Sequence, residues 1–65
     1  MEYKITLKAA RINAGYSQKE AASILGINPD TLRTYENGRV IPKWDVVDKM
    51  RELYRLPLDL LKFGK

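Results

Sequence analysis

Apolar side chains recur along this chain at three- and four-residue intervals and nowhere in sustained alternation, a pattern that predicts short helices and no strands. Leu7, Ala10, Arg11 and Ala14 fall at i, i+3, i+4 and i+7 and predict a first helix. Ala21, Ala22 and Leu25 form the inward face of a second, and Leu32 with Tyr35 that of a third. Trp44, Val47, Met50 and either Leu53 or Tyr54 mark a fourth helix of about three turns. Leu58 and Leu61, with Phe63 as a further candidate, predict a short fifth helix restarted by Leu56-Pro57. Arg11 is out of place in an apolar stripe, because a buried guanidinium needs a partner.

The polar punctuation agrees with these boundaries. MEYKI reads as a short lead-in, after which Thr6 can cap the first helix and Gly15 can end it. Ser17-Gln18-Lys19-Glu20 has the form of a capping box, in which hydroxyl and carboxylate each take a backbone amide of the other residue. Gly26 suits a left-handed C-terminal position, and Ile27 is an apolar plug in the turn. Asn28-Pro29 supplies an N-cap followed by a residue whose missing amide costs nothing there. Asp30 places negative charge in the first turn, Asn37-Gly38 stops the third helix, and Pro42 breaks the chain once more.

Two short helices in series cost an extra set of caps compared with one long helix. What they gain is a fixed angle. A small residue at Ala22 lets the next helix approach, Gly26 makes the turn, and Leu32 packs the second rod onto the first. A short helix braced in this way can enter the major groove of B-DNA, which is about 12 Å wide.

Composition narrows the picture further. Sixty-five residues form one small domain, read here as spanning residues 1–65, and with no cysteine or histidine it has neither disulfide nor zinc to staple it. Apolar packing must therefore suffice. The same absence, with no ligand-spaced acidic cluster and no Gly-rich phosphate loop, argues against an enzyme and against a metal or other cofactor. Ser17 and Ser23 have no visible base. No apolar run approaches a membrane span or a secretory signal core, so a cytoplasmic location is expected. Twelve Lys and Arg against eight Asp and Glu give a net charge of +4, which suits a polyanionic partner.

The segments LKAARINAGYSQKEAA, LGINPDTLRTYENGRVIP and VVDKMRELYRLPLDLL, at their mutual spacing, strongly resemble the phage repressor and Cro-like (XRE) helix-turn-helix family. The resemblance runs over roughly residues 5 to 62 and includes the aromatic-Glu-x-Gly signature Tyr35-Glu36-Asn37-Gly38. It implies an all-α, lambda-repressor-like bundle of five helices, with the helix-turn-helix at about residues 18–36. It also implies a bacterial or phage-encoded transcriptional regulator, read as a repressor, that binds double-stranded operator DNA with inverted repeats, usually as a homodimer. No membrane or small-molecule substrate is implied. The family pattern further offers Arg11 a partner in Glu36.

By the same resemblance the recognition helix runs over about 29–36 and turns Pro29, Asp30, Arg33 and Thr34 outward as base contacts, with Asp30 and Thr34 expected at base edges and Arg33 at a base or a phosphate. Arg suits guanine O6 and N7, Asp can accept from cytosine N4, the Thr methyl can meet thymine, and Pro29 offers only apolar contact. The family often carries Gln, Ser or Arg at these outward places. Asp30 departs from that pattern, and either reads a base or serves only the helix dipole. Gln18, Asn28, Thr31, Asn37, Arg39 and Lys43 are the expected phosphate contacts, by helix N-terminus, amide or cation. From residue 17 to 43 the cations Lys19, Arg33, Arg39 and Lys43 stand against Glu20, Asp30 and Glu36, and Lys19 ranks below Gln18 as a contact.

Tyr16, Tyr35 and Trp44 could stack on single-stranded bases, but their spacing favours core or interface positions. Trp44, Leu60 and Phe63 are candidate dimer contacts, or alternatively caps on the monomer core or scattered surface residues. The competing function is a protein-interaction module on the same fold, such as an antitoxin or antirepressor-like factor. That role would call for a larger apolar patch, with Ile24 and the tail as its candidates.

Overall fold

The computed structural model describes residues 4–63, so the start of the lead-in and the last two residues lie outside it. Within that span the chain runs β1 (Ile5–Thr6), α1 (Leu7–Asn13), α2 (Gln18–Leu25), α3 (Pro29–Glu36), α4 (Trp44–Tyr54), a 3-10 turn (Leu58–Leu60) and β2 (Leu61–Lys62).

The first three helices begin where a side chain or a proline relieves the unsatisfied amides of the first turn. Thr6 Oγ1 accepts from the Ala9 amide at 3.1 Å. Ser17 Oγ accepts from the Glu20 amide at 3.0 Å while Glu20 Oε1 accepts from the Ser17 amide at 2.9 Å, so the capping box is closed in both directions. Asn28 Oδ1 accepts from the Asp30 amide at 2.8 Å, with Pro29 opening α3. Only α4 starts without a side-chain cap, from Lys43.

Between α2 and α3 the Ile27 amide donates to the Ala22 carbonyl at 3.0 Å and the Gly26 amide to Ser23 at 3.2 Å, the paired bonds of a Schellman turn. Gly26 sits at φ +74, and a Cβ there would meet nothing closer than Lys49 Nζ at 3.9 Å. Glycine is needed at this turn for its backbone angle, not for space.

Leu7, Ala10, Ala21, Ala22, Leu25, Leu32, Tyr35, Val46, Met50, Tyr54 and Leu61 form one core, with Tyr16, Ile27, Leu53 and Phe63 packed around it. Ala21 and Ala22 are wholly buried between α2 and its neighbours, as the close approach of α3 requires. Among the described residues Arg11 is the one charged residue buried as a whole. Ala14, expected on the inner stripe of α1, instead ends the helix and is exposed.

Two further expectations are corrected. The fifth helix is a single 3-10 turn over Leu58–Leu60, after which Leu61 and Lys62 pair in parallel with Ile5 and Thr6. The leucine spacing after Pro57 fits a helix, but Leu61 reaches the core equally well as a strand residue, and the lead-in offers it free backbone partners. Trp44 does not join the inner face of α4. Val46 and Val47 occupy that face with Met50 and Tyr54, leaving Trp44 71% exposed at the first helical position.

Candidate nucleic-acid interface

The outer face of α3 is free of the rest of the described chain. Leu32 and Tyr35 point into the core, Pro29, Asp30 and Arg33 are exposed, and Thr31 and Thr34 are half-buried at its edges. Rigidity comes from behind: Leu32 is fully buried where α2 and α3 pack together.

The polar groups on this face are partly committed to one another. Asp30 Oδ1 lies 3.0 Å from Arg33 Nη2, an ion pair one turn apart in which both side chains remain mostly exposed. Thr34 Oγ1 donates to the Asp30 carbonyl at 2.9 Å, so its hydroxyl is held by its own helix and its methyl is the freer feature. Asp30 is therefore tied through its amide by Asn28, through its carbonyl by Thr34 and through its carboxylate by Arg33. The Asp30–Arg33 pair is missed by reading the positions one at a time; opposite charges at i and i+3 are its visible signal.

At the opposite end of the helix-turn-helix, Glu36 gathers three donors. Arg11 Nε reaches Oε2 at 2.7 Å, Arg11 Nη2 reaches Oε1 at 3.3 Å, and Gln18 Nε2 donates to Oε1 at 3.2 Å. Arg11 Nη1 donates further to the Tyr16 carbonyl at 3.0 Å. The side chains of Arg11 and Glu36 are 9% and 3% exposed, so the pair is buried and well supplied with hydrogen bonds. The network brings the first residue of α2 against the last residue of α3. Gln18, an expected phosphate contact, is thereby held at the junction, a contact that spacing alone does not reveal.

Beyond α3, Asn37 takes the C-terminal cap position, and Arg39 and Lys43 are exposed. Of the other marked aromatics, Tyr16 is half-buried and Tyr35 buried against the core, away from any stacking role. Glu20 has its pKa lowered, first by the Ser17 amide and then by the Ser17 hydroxyl. Tyr54 has its pKa pushed up to about 12 by burial and then by the negative charge of Glu36, with Arg11 opposing.

The sequence matches the helix-turn-helix domain model over residues 5–62, nearly the whole chain. The chain belongs to the Cro/XRE-type helix-turn-helix family. Within that family match, α2 and α3 are the two helices of the helix-turn-helix. Among curated relatives, the chain is 44% identical over 55 residues to the HTH-type transcriptional regulator ImmR of Bacillus subtilis, a stretch that covers 85% of this chain and 43% of that protein. It is 40% identical over 52 residues to the "Putative HTH-type transcriptional regulatory protein PH1808" of Pyrococcus horikoshii, covering 80% of this chain and 16% of that one. The chain thus corresponds to less than half the length of either relative. No helix among the described residues is long and apolar enough to cross a membrane.

Proposed function

We propose that this helix-turn-helix domain is a sequence-specific reader of double-stranded DNA that serves a transcriptional regulator, acting as a repressor. The supporting observation is the outer face of α3, which is exposed, polar and backed by buried Leu32, so that a stiff helix is free to enter the major groove. The regulator names of the two relatives point the same way.

In this reading Arg33, the Thr34 methyl, Asp30 and Pro29 face the bases. Gln18, Asn28, Thr31, Asn37, Arg39 and Lys43 grip phosphates on either side, where the amides at the N-terminus of α2 and the cations beyond α3 supply attraction and counterion release. Two copies meet through exposed Trp44, with Leu60 and Phe63 nearby in sequence to β2, and set half-sites about 34 Å apart on an inverted repeat. Phe63 and Leu60 are each half-buried, and Phe63 packs on the monomer's own core, so Trp44 offers the larger free surface. A cytoplasmic location follows from the role. The protein-interaction alternative is less well supported, because exposed Ile24 shares its shallow groove with Leu25, Leu53, Lys49 and Glu52 and not with the tail.

Selection of bound duplexes from a random pool, with purified protein at stated salt, tests the reading. Enriched inverted repeats are expected. Retention of duplexes without any enriched sequence would overturn sequence-specific readout, and an enriched single half-site would overturn the twofold arrangement.

A further inference from the structure

We infer that Asp30 is a positioning residue for Arg33: its carboxylate holds the guanidinium so that Arg33 reads a guanine, and Asp30 sets no base preference of its own. The inference rests on α3 being the recognition helix and deepens that reading.

Three observations carry it. First, Asp30 Oδ1 already takes Arg33 Nη2 at 3.0 Å on the face that would meet the bases. Second, the Asp30 backbone is fixed at both ends by side chains, its amide by Asn28 Oδ1 at 2.8 Å and its carbonyl by Thr34 Oγ1 at 2.9 Å. The carboxylate is thus presented from an anchored point on the first turn. Third, the carboxylate approaches the guanidinium only at Nη2, as an ion pair, so N–H donors of the fork remain for a two-point contact with guanine O6 and N7.

The electrostatics favour this role over direct reading. A free carboxylate brought toward phosphates is repelled, whereas one paired with Arg33 is neutralised before it arrives. Arginine also has many rotamers, and docking one edge of its fork limits them before the base is met. In water an exposed pair contributes little to folding. Its effect belongs to the bound state, where groove surfaces exclude solvent and a charge-assisted contact strengthens.

The test compares duplex selection profiles for the wild type, Arg33→Ala, Asp30→Ala, Asp30→Glu and the double Ala variant, all checked for helical content. Arg33→Ala is expected to flatten a guanine preference at one base pair, a preference of roughly fivefold or more for a two-point contact. Asp30→Ala is expected to weaken preference at that same base pair by roughly threefold, Asp30→Glu to restore it, and the double variant to match Arg33→Ala. A role confined to the helix dipole would shift thermal stability and leave the profile unchanged, which would overturn the inference. So would a loss at a different base pair, which would make Asp30 a reader in its own right while leaving α3 as the recognition helix. A wild-type profile with no enrichment would instead bring down the recognition-helix reading itself, and this inference with it.

Discussion

Arg11 Nε donates to Glu36 Oε2 across 2.7 Å and so joins α1 to the last residue of α3, twenty-five positions along the chain. The same carboxylate receives Gln18 from α2. One buried acid therefore fixes the mutual placement of the three N-terminal helices. Truncating a single partner leaves an uncompensated charge in the interior, which typically costs about 3–5 kcal/mol, while replacing both by apolar groups can be nearly neutral. Arg11→Leu is expected to lose about 3 kcal/mol or more in urea unfolding, and Arg11→Leu with Glu36→Leu to recover much of it. An Arg11→Leu protein with unchanged midpoint would show that the pair is not buried in solution.

The capping box at Ser17 makes a second, smaller prediction. Ser17→Ala removes the hydroxyl that accepts from the Glu20 amide, with an expected cost of about 1 kcal/mol. Glu20 keeps its bond to the Ser17-position amide, which is the larger cause of its lowered pKa, so that pKa should rise only part of the way to the ordinary carboxylate range. The sign for stability follows: the contribution is present above the unfolded pKa and is lost as pH falls through the lowered folded value. Carboxyl titration of both proteins by NMR checks the shift.

The contrast between these two features separates what the sequence makes legible from what it does not. Capping signals lie within four residues, so Thr6, Ser17 with Glu20, Gly26 and Asn28-Pro29 could be placed on their helices directly. The Arg11–Glu36 pair spans the chain, and only family resemblance named the partner. Gln18 joining that pair was not visible, since an amide at a helix start has many equally good partners. The last segment differs from its expected helix because two-residue strands have no alternation to detect, and leucines after Pro57 suit a helical face as well as a strand that returns to Ile5. The periodicity of α4 admits either Trp44 or Val46 on its inner face, and Val46 takes it, leaving Trp44 exposed.

Tyr54 is a buried side chain whose hydroxyl has no hydrogen-bond partner among the described residues. Removing such a group relieves a desolvation cost, so Tyr54→Phe is expected to be neutral or stabilising by up to about 1 kcal/mol at neutral pH. Its alkaline behaviour is more distinctive. The folded pKa, about 12, lies above the ordinary tyrosine value of 10.0, so the unfolded chain loses its proton first. Stability is therefore unaffected by this group below pH 10 and falls as pH rises through 12. Urea midpoints measured across this range should fall more steeply for the wild type than for Tyr54→Phe; parallel curves would mean that the hydroxyl is hydrated.

Lys43 precedes α4, is exposed and makes no side-chain cap bond, so its charge is free to meet a phosphate. Lys43→Ala is expected to weaken binding to all duplexes alike and to lower the salt slope by about 1. Fluorescence anisotropy over a salt series, on a selected site and on an unrelated duplex, measures both quantities. A changed sequence preference with the slope intact would move Lys43 from the backbone to a base.

Trp44 is the most exposed large apolar side chain among the described residues, at the edge of a groove of about 540 Å³ that it shares with Val47, Arg51 and Leu58. Because so little of the indole is buried in the monomer, Trp44→Ser should leave folding stability within about 0.5 kcal/mol. If two copies meet through this surface on an inverted repeat, the same change removes apolar area from their contact without touching either recognition helix. Binding to the full repeat should then weaken and lose cooperativity, while affinity for an isolated half-site stays as it was. Titrations against both duplexes separate the cases. An equal loss on both would place Trp44 at the DNA rather than between protomers, and no loss on either would leave the twofold contact to other residues.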